Sequence, residues 1–329
     1  MVRRDHPGKR PSFAAFLARR TGRALVLIFV VASAAMLLVH LAPGDAVSGI
    51  GVDQAYIAAE RARLGLDRPF LAQYTDWLGR LLTFDFGNSV TFQRPVAELL
   101  AERVGNTLLL GVAALALALG LGLPAGVITG RNPGGVFSRG IEAASLLLLS
   151  APPLVTALLL VLMASGTGWF PTGGLDFAGS TPLEMAGSAL RYVPLPALAL
   201  GLPIAAALER LQSQAIGEAL EQPCVAAARA RGLSASRVTW IHAWRLSMRS
   251  ILGVLGIIIG SALSGSFIVE YVMDWPGLGT LMYAALTGQD LHLAAGCAAV
   301  GAALLSLGLV LTDVALAAVD RRVIERAGP

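Results

Sequence analysis

Six apolar stretches constrain what this chain can fold into more than any other feature of its sequence. Each is long enough for a helix that crosses the ~30 Å hydrocarbon core of a bilayer. A segment in that core must satisfy its backbone hydrogen bonds internally, so all six are predicted to be helices. The predicted fold class is an all-α membrane protein with six transmembrane helices, at residues 24–41, 107–128, 143–165, 193–208, 251–269 and 293–319.

The composition supports that interpretation. Of the 329 residues, 55% are hydrophobic and 14% are charged, whereas a soluble domain carries about 25% charged residues. The two cysteines, Cys224 and Cys297, have no metal-like spacing to any of the four histidines. We therefore expect no disulfide framework, no metal site and no cofactor.

Prolines interrupt two of the apolar stretches. Pro152 and Pro153 lie inside the third stretch. The fourth stretch is the weakest candidate for a membrane span and contains Pro194, Pro196 and Pro203. Each proline removes a backbone donor and kinks a helix. We expect kinked spans whose freed carbonyl groups are covered by neighbouring helices.

The basic residues predict how the chain is oriented. Eighteen of the 25 lysine and arginine residues lie before the first stretch, in two alternate connections or after the last stretch. Loops rich in these residues stay in the cytoplasm, so both termini are predicted to be cytoplasmic. The predicted organisation is a cytoplasmic tail 1–23, a first transmembrane helix 24–41, an extracytoplasmic loop 42–106, a five-helix core 107–319 and a cytoplasmic tail 320–329.

The first apolar stretch has an alternative interpretation as a cleaved signal peptide, because basic residues precede it and small residues occupy 32–35. However, the stretch is longer than the usual apolar core of about 7–15 residues. Cleavage would also leave five spans with the N-terminus outside. We expect the stretch to be retained as a transmembrane helix.

The outward loop contains regularly spaced aromatic residues at 64–90, which argue against disorder. Leu71, Tyr74, Leu78 and Leu81 fit one face of a short helix. This helix either packs on the mouth of the bundle or forms a docking rim for an outside partner, and the spacing does not separate the two.

Several kinds of chemistry are missing. A phosphate-binding P-loop needs a lysine, but Lys9 is the only one, and neither a GxSxG nor an HExxH motif occurs. Glu142, Glu209 and Glu270 are predicted at the ends of spans. Asp313 lies about two turns inside the last span, where we expect it to pair with a neighbour rather than to relay protons.

Small residues recur at four-residue spacing in the fifth stretch, at Gly256, Gly260 and Ser264. This pattern is typical of close helix packing. The alternative is a helix beside a pore, where small side chains leave room for a solute.

Residues 223–242 predict a compact polar hairpin between the fourth and fifth stretches. Pro223 suits the first position of a helix, Gly232 supplies a left-handed stop, and Ser234 is predicted to cap the next helix. The first helix is too short to be stable without a socket. It is predicted to be a peg for a soluble partner, while Trp240 and Trp244 anchor the second helix at the lipid interface.

The chain resembles a known family through several segments that occur in the family order. It is similar, from about residue 19 to 323, to the inner-membrane permease subunits of dipeptide, oligopeptide and nickel ATP-binding-cassette (ABC) importers. The segments are HLAPGDA (40–46), LGLDRP (64–69) with QYTDWLGRLL (73–82), RVGNT (103–107), ARARGLS (228–234), VEYVMDWPGLGTL (269–281) and DRRV (320–323).

This resemblance implies a type I ABC permease fold that forms half of a translocation pore and performs no catalysis itself. The implied partners are a second homologous permease, two cytoplasmic ATPase subunits, an extracytoplasmic solute-binding protein and the lipid bilayer, with no nucleic acid. The resemblance also implies that a cytoplasmic coupling loop, 218–249, docks on the ATPase. The coupling residues are then Val225, Ala226, Ala227, Ala228, Arg229, Arg231, Gly232, Leu233 and Ser234.

The chain departs from the family pattern at four positions. Ala226 stands where many ABC permeases have Glu, Leu246 replaces a usual Asn, and Ser250 and Arg321 replace usual prolines. These departures bear on the geometry of docking. The resemblance leaves open whether the solute is a dipeptide, an oligopeptide, a nickel chelate or another small molecule.

Two rival functions come from other classes. A secondary transporter needs coupling residues at mid-membrane depth and usually an internal repeat, and the sequence shows neither. A membrane-embedded enzyme needs clustered His, Asp or Glu residues, but the four histidines are scattered.

Overall fold

The chain folds into helices, as the apolar pattern predicts. A computed structural model describes residues 13–41, 67–81, 83, 85–175 and 182–319, and the only β-pairing within them is an isolated bridge between Asn88 and Pro95. The helices are α1 (Phe13–Leu41), α2 (Phe70–Leu81), α3 (Val96–Arg131), α4 (Val136–Ser150), α5 (Pro153–Thr167), α6 (Pro182–Tyr192), α7 (Pro194–Leu220), α8 (Pro223–Ala230), α9 (Ala235–Val272), α10 (Leu278–Thr287) and α11 (Leu291–Val319).

Five of these helices, α1, α3, α7, α9 and α11, are long and apolar enough to cross a membrane, and the pair α4 and α5 makes a sixth span if it is counted as one. The six-span prediction is therefore confirmed in number, but the third span is not a single kinked helix. The chain bends by 107° between its two halves, α4 and α5. Pro153 starts α5 without a backbone N–H, and Pro152 is extended at φ −57° and ψ 145°, because a residue before proline avoids the helical region.

Two helices extend well past their apolar stretches. Helix α3 begins at Val96, although residue 107 was the predicted start of the core, and α7 continues to Leu220 rather than ending near residue 208. At 1.5 Å per residue both are longer than the ~30 Å hydrocarbon core. Their polar ends can be helical because they need not lie in lipid.

The centre of the bundle is the contact between α3 and α7, the most extensive between any two helices of the described chain. Gly122, Gly126 and Gly130 on α3 lie directly against the α7 backbone. A Cβ added to Gly126 would lie 2.5 Å from the carbonyl oxygen of Glu209 and 2.6 Å from the Cβ of Gln212. Such small residues let two helices approach closely in a membrane.

Apolar side chains form two main cores around this contact. One core lies between α3, α5, α7 and α9, and the other joins α1, α2, the start of α3, α10 and α11. In the fifth apolar stretch, Gly256 and Gly260 face Leu309 and Leu305 of α11. This supports the packing interpretation of that glycine pattern.

The short helix predicted between the first two spans is confirmed as α2, but the face predicted from its spacing is only partly the buried one. Trp77 is the buried centre at 1% exposure, whereas Leu71 is 74% exposed. The hydroxyl groups of Tyr74 and Ser33 are 2.8 Å apart. Helix α2 therefore packs on α1, and its register turns Trp77 inward because the large indole buries the most apolar area.

We predict that Gly126→Ala destabilises the protein by about 1–3 kcal/mol, because the new methyl group has no room against α7. The matched control is Gly120→Ala on the same helix, where no described residue lies within 4 Å of the added Cβ. The control should be neutral or stabilising by up to about 1 kcal/mol, since alanine is the better helix former. Thermal unfolding in detergent measures both, and equal shifts would contradict the packing argument.

Candidate functional site

The predicted hairpin follows directly from the end of α7. Gln222 is extended at φ −65° and ψ 139°, and Pro223 begins the eight-residue helix α8. After α8, Gly232 has φ +78°, a conformation that costs other residues about 1–2 kcal/mol. The predicted proline start and glycine stop are therefore both confirmed.

Two side chains hold α8 against its own bundle. Val225 and Ala228 are fully buried and pack with Val238 at the start of α9. Their three-residue spacing places them on one face of the helix. Leu233 lies at the edge of the same cluster. These contacts provide the socket that a helix of only two turns needs.

The nine predicted coupling residues therefore fall into a buried group and an exposed group. Val225 and Ala228 are turned into this chain, so they offer no surface to a partner, and Leu233 is half-buried. The other six are exposed: Ala226, Ala227, Arg229, Arg231, Gly232 and Ser234. The exposed set surrounds the tip of the hairpin, and its docking role stays a prediction.

The predicted cap at Ser234 is wrong in detail. Ser234 has an N-cap backbone, at φ −60° and ψ 145°, but its hydroxyl makes no capping hydrogen bond. Ser234 is exposed, so water can satisfy the first N–H groups of the next helix. That helix starts with one α-turn and then widens into a π-helical turn over Val238–Ala243.

Aromatic and basic side chains follow the hairpin at the start of α9. The rings of Trp240 and Trp244 lie 5.8 Å apart between centroids, and Trp240 is exposed. His242, Arg245 and Arg249 line a cavity of about 860 Å³ beside them. Tryptophan and arginine together are typical of a membrane–water boundary, which is where the interface anchor was predicted.

Polar side chains join three helices inside the bundle. The Thr129 hydroxyl of α3 donates to Glu209 of α7 at 2.6 Å, and the Gln212 amide donates to the Ser247 hydroxyl of α9 at 2.9 Å. Glu209 is 2% exposed. The predicted span ends beside it at residue 208, but α7 continues for three more turns to Leu220, so Glu209 lies within the helix and not at its end.

A second buried cluster was missed by the sequence analysis. The Glu270 carboxylate accepts hydrogen bonds from the Thr107 hydroxyl at 2.8 Å and from the Gly279 N–H at 2.5 Å. The Thr107 hydroxyl in turn accepts the Leu278 N–H at 2.8 Å. We call these four residues the Glu270 clasp. It ties the start of α10 to α3 and α9.

Neighbouring residues reinforce the Glu270 clasp. The Asn106 amide donates to the carbonyl of Pro276 at 2.7 Å, and the Trp275 indole donates to the carbonyl of Asn106 at 3.1 Å. A Cβ on Gly277 would lie 2.5 Å from the Glu270 carboxylate. The clasp therefore joins the segments RVGNT and VEYVMDWPGLGTL. These segments are more than 160 residues apart in the chain, so the sequence analysis did not connect them.

The remaining ionisable residue inside a predicted span behaves as expected. Asp313 of α11 pairs with Arg20 of α1 at 2.8 Å, which favours a structural role over proton relay. Across the described ranges, no three His, Cys, Asp or Glu side chains are grouped closely enough to hold a metal ion. Cys224 is exposed and Cys297 is buried, both as free thiols.

Comparison with known proteins gives this arrangement its family. Residues 122–325 match the model of the binding-protein-dependent transport system inner membrane component, and residues 13–111 match the N-terminal model of such membrane components. The chain belongs to this family. It is therefore a multi-pass integral membrane permease, and the resemblance to ABC importer permeases is confirmed.

Named relatives cover nearly the whole permease. A Brucella suis protein, provisionally named a peptide permease, is 34% identical over 91% of this chain and 93% of its own length. The oligopeptide transport system permease protein AppB of Bacillus subtilis is 30% identical over 94% of this chain and 99% of its own length. The di/tripeptide transport system permease protein DppB of Pseudomonas aeruginosa is 32% identical over 84% of this chain and 88% of its own length.

We predict that Thr107→Val lowers the free energy of unfolding by about 2–4 kcal/mol, because it leaves a Glu270 oxygen and the buried Leu278 N–H without partners. Thr107→Ser keeps the hydroxyl and loses only one methyl group, which costs about 1 kcal/mol. Unfolding midpoints in detergent distinguish the two variants. Similar losses from both would show that the hydroxyl does not hold the clasp together.

Proposed function

We propose that this permease forms half of a translocation pore for peptides, in an importer powered by separate ATPase subunits. The observation that carries the proposal is the hairpin: a short exposed helix, fixed to the bundle at two buried side chains, in a chain of this family. The names of the relatives, which cover nearly the whole chain, support peptides as the solute. A second permease, two ATPases and an external solute-binding protein complete the proposed assembly.

The hairpin is suited to transmit force in both directions along the chain. Helix α8 follows α7 after a two-residue connection and reaches α9 through four residues. Helices α7 and α9 also contact each other directly. A partner that displaces α8 therefore moves two spanning helices together. ATP binding would favour one position of the hairpin, and so one direction of access to the pore.

The exposed surface of the hairpin suits an acidic or carbonyl-rich groove on a partner. Arg229 and Arg231 are exposed on either side of the helix end, and a guanidinium group pairs with carboxylates or helix-terminal carbonyl groups through a planar fork. Ala226 contributes no charge where many family members have Glu. Docking in this permease therefore rests on the two arginines and on close approach to the small residues.

The distribution of basic residues supports a cytoplasmic hairpin, and Cys224 provides a natural probe of it. We predict that a membrane-impermeant maleimide labels Cys224 in inside-out vesicles but not in spheroplasts, when this chain is made without ATPase subunits. Cys224 is exposed, whereas Cys297 is buried and should react only after denaturation. Cys224→Ser is the control that removes the signal. Labelling in intact spheroplasts would place the hairpin outside the cell and overturn the proposed coupling.

The coupling role is tested at the glycine that ends the hairpin. No described residue lies within 4 Å of a Cβ at Gly232, so Gly232→Val acts through its positive φ, at about 1–2 kcal/mol, and not through a clash. We predict weaker co-purification of the ATPase and less solute-stimulated ATP hydrolysis. Gly232→Asn should retain most of both, because asparagine tolerates this conformation.

The complete transporter, reconstituted in vesicles, tests which class of solute is carried. The tagged permease is purified from its native membrane with its bound subunits and reconstituted with the binding protein, and uptake of a labelled dipeptide should require ATP and fall in Gly232→Val. Unchanged ATPase binding and stimulation in that variant would contradict the coupling role. Uptake of a nickel chelate but not of peptides would contradict the solute class, and uptake driven by an ion gradient without ATPase would indicate a secondary transporter.

A further inference from the structure

A crevice of about 200 Å³ lies between α1 and α11, at the end of the bundle where α1 begins and α11 ends. Its outer end is the ion pair between Arg20 and Asp313. Its inner end is formed by Leu27 and Ser306. Leu27 follows Arg20 by seven residues in α1, and Ser306 precedes Asp313 by seven residues in α11. Since the two helices run antiparallel, these pairs mark two depths in the same crevice.

The inner end contains an unused hydrogen-bonding group. Ser306 is 4% exposed, and its hydroxyl has no hydrogen-bond partner among the residues that the structure describes. By contrast, Thr312 on the same helix donates to the carbonyl of Gly308 at 2.9 Å. Buried hydroxyl groups are normally paired, so the free hydroxyl of Ser306 on the crevice wall indicates a missing acceptor.

The outer end carries one positive charge in excess. Arg20 is engaged by Asp313, whereas Arg23 is exposed and forms no ion pair within the described ranges. The two arginines and one aspartate that line the crevice leave a net charge of +1. The site is therefore complementary to one negative charge next to Arg23.

The separation of these two groups matches a phospholipid. Arg23 is one helical turn, roughly 6 Å, further out than Leu27 and the neighbouring Ser306. The polar layer of a bilayer leaflet is on the order of 6 Å thick, with phosphate on its outer side and acyl-ester carbonyl groups on its inner side. The walls between the two groups are apolar at Ala24 and Leu309.

We propose that this crevice binds one anionic phospholipid. Arg23 pairs with the phosphate, the Ser306 hydroxyl donates to an ester carbonyl oxygen, and Ala24, Leu27 and Leu309 contact the first carbons of an acyl chain. On the same helix, α1 also exposes the apolar side chains of Leu25 and Val26, each 62% accessible, which are suited to contact with lipid. The lipid would strengthen the contact between α1 and α11 without taking part in transport.

Native mass spectrometry of the full-length, delipidated permease tests the site, with phosphatidylglycerol and phosphatidylethanolamine as probes. Phosphatidylglycerol should bind more tightly. Arg23→Gln should weaken it about five-fold, the effect of one basic residue at an anionic membrane surface, and Ser306→Ala should also weaken it. The controls Arg139→Gln and Ser150→Ala alter an exposed arginine and an exposed serine away from the crevice and should leave binding unchanged.

Two conservative variants guard against misfolding. Arg23→Lys and Ser306→Thr keep the charge and the hydroxyl, so they should retain most of the binding if the site acts as described. Phosphatidylglycerol binding that is unchanged in both Arg23→Gln and Ser306→Ala would overturn the proposal. So would equal binding of the two lipids, or a protein segment occupying the crevice in an experimental structure of the assembled transporter in lipid.

Discussion

The hydrocarbon core of the membrane is the constraint on which the rest of this structure depends. Water cannot satisfy a peptide group there, so each spanning segment must pair its own backbone groups. Lipid also provides little hydrophobic drive for one helix to join another. The bundle is held instead by close backbone approach at Gly122, Gly126 and Gly130, where dispersion forces act over the longest contact.

Buried polar groups then fix the positions of the helices that the glycines bring together. The Glu270 clasp crosses from α9 to α3 and α10, and the pairs at Glu209 and Gln212 connect α7 to its neighbours. Removing one partner of such a bond strands a group in a low-dielectric interior. These contacts therefore specify one arrangement of helices rather than simply adding stability.

The hairpin depends on this arrangement for its orientation. Helix α8 is too short to hold its shape alone, and Val225 and Ala228 seat it on residues that α7 and α9 bring together. Its exposed arginines and alanines consequently face away from the bundle in a defined direction. A rigid link of this kind can pass a displacement to the spanning helices, whereas a flexible loop would absorb it.

Much of the candidate site could be predicted from local pattern. The helical start at Pro223, the positive φ of Gly232 and the pairing of Asp313 follow from the chemistry of single residues and their near neighbours. The orientation of side chains could not be predicted in the same way. Leu71 and Trp77 both fit a helical period, and only the position of α1 decides which is buried.

The sequence by itself therefore determined the helical class, the number of spans, the family and the hairpin, because each depends on apolar length, local backbone preference or the order of short segments. Only the tertiary structure decided the 107° break at Pro152 and Pro153, the mid-helix burial of Glu209 and the Glu270 clasp. The burial of Glu209 and the Glu270 clasp depend on contacts between residues far apart in the chain, whereas the two prolines predicted where the third span bends but not the angle of the bend. No local pattern encodes which helix will lie opposite which.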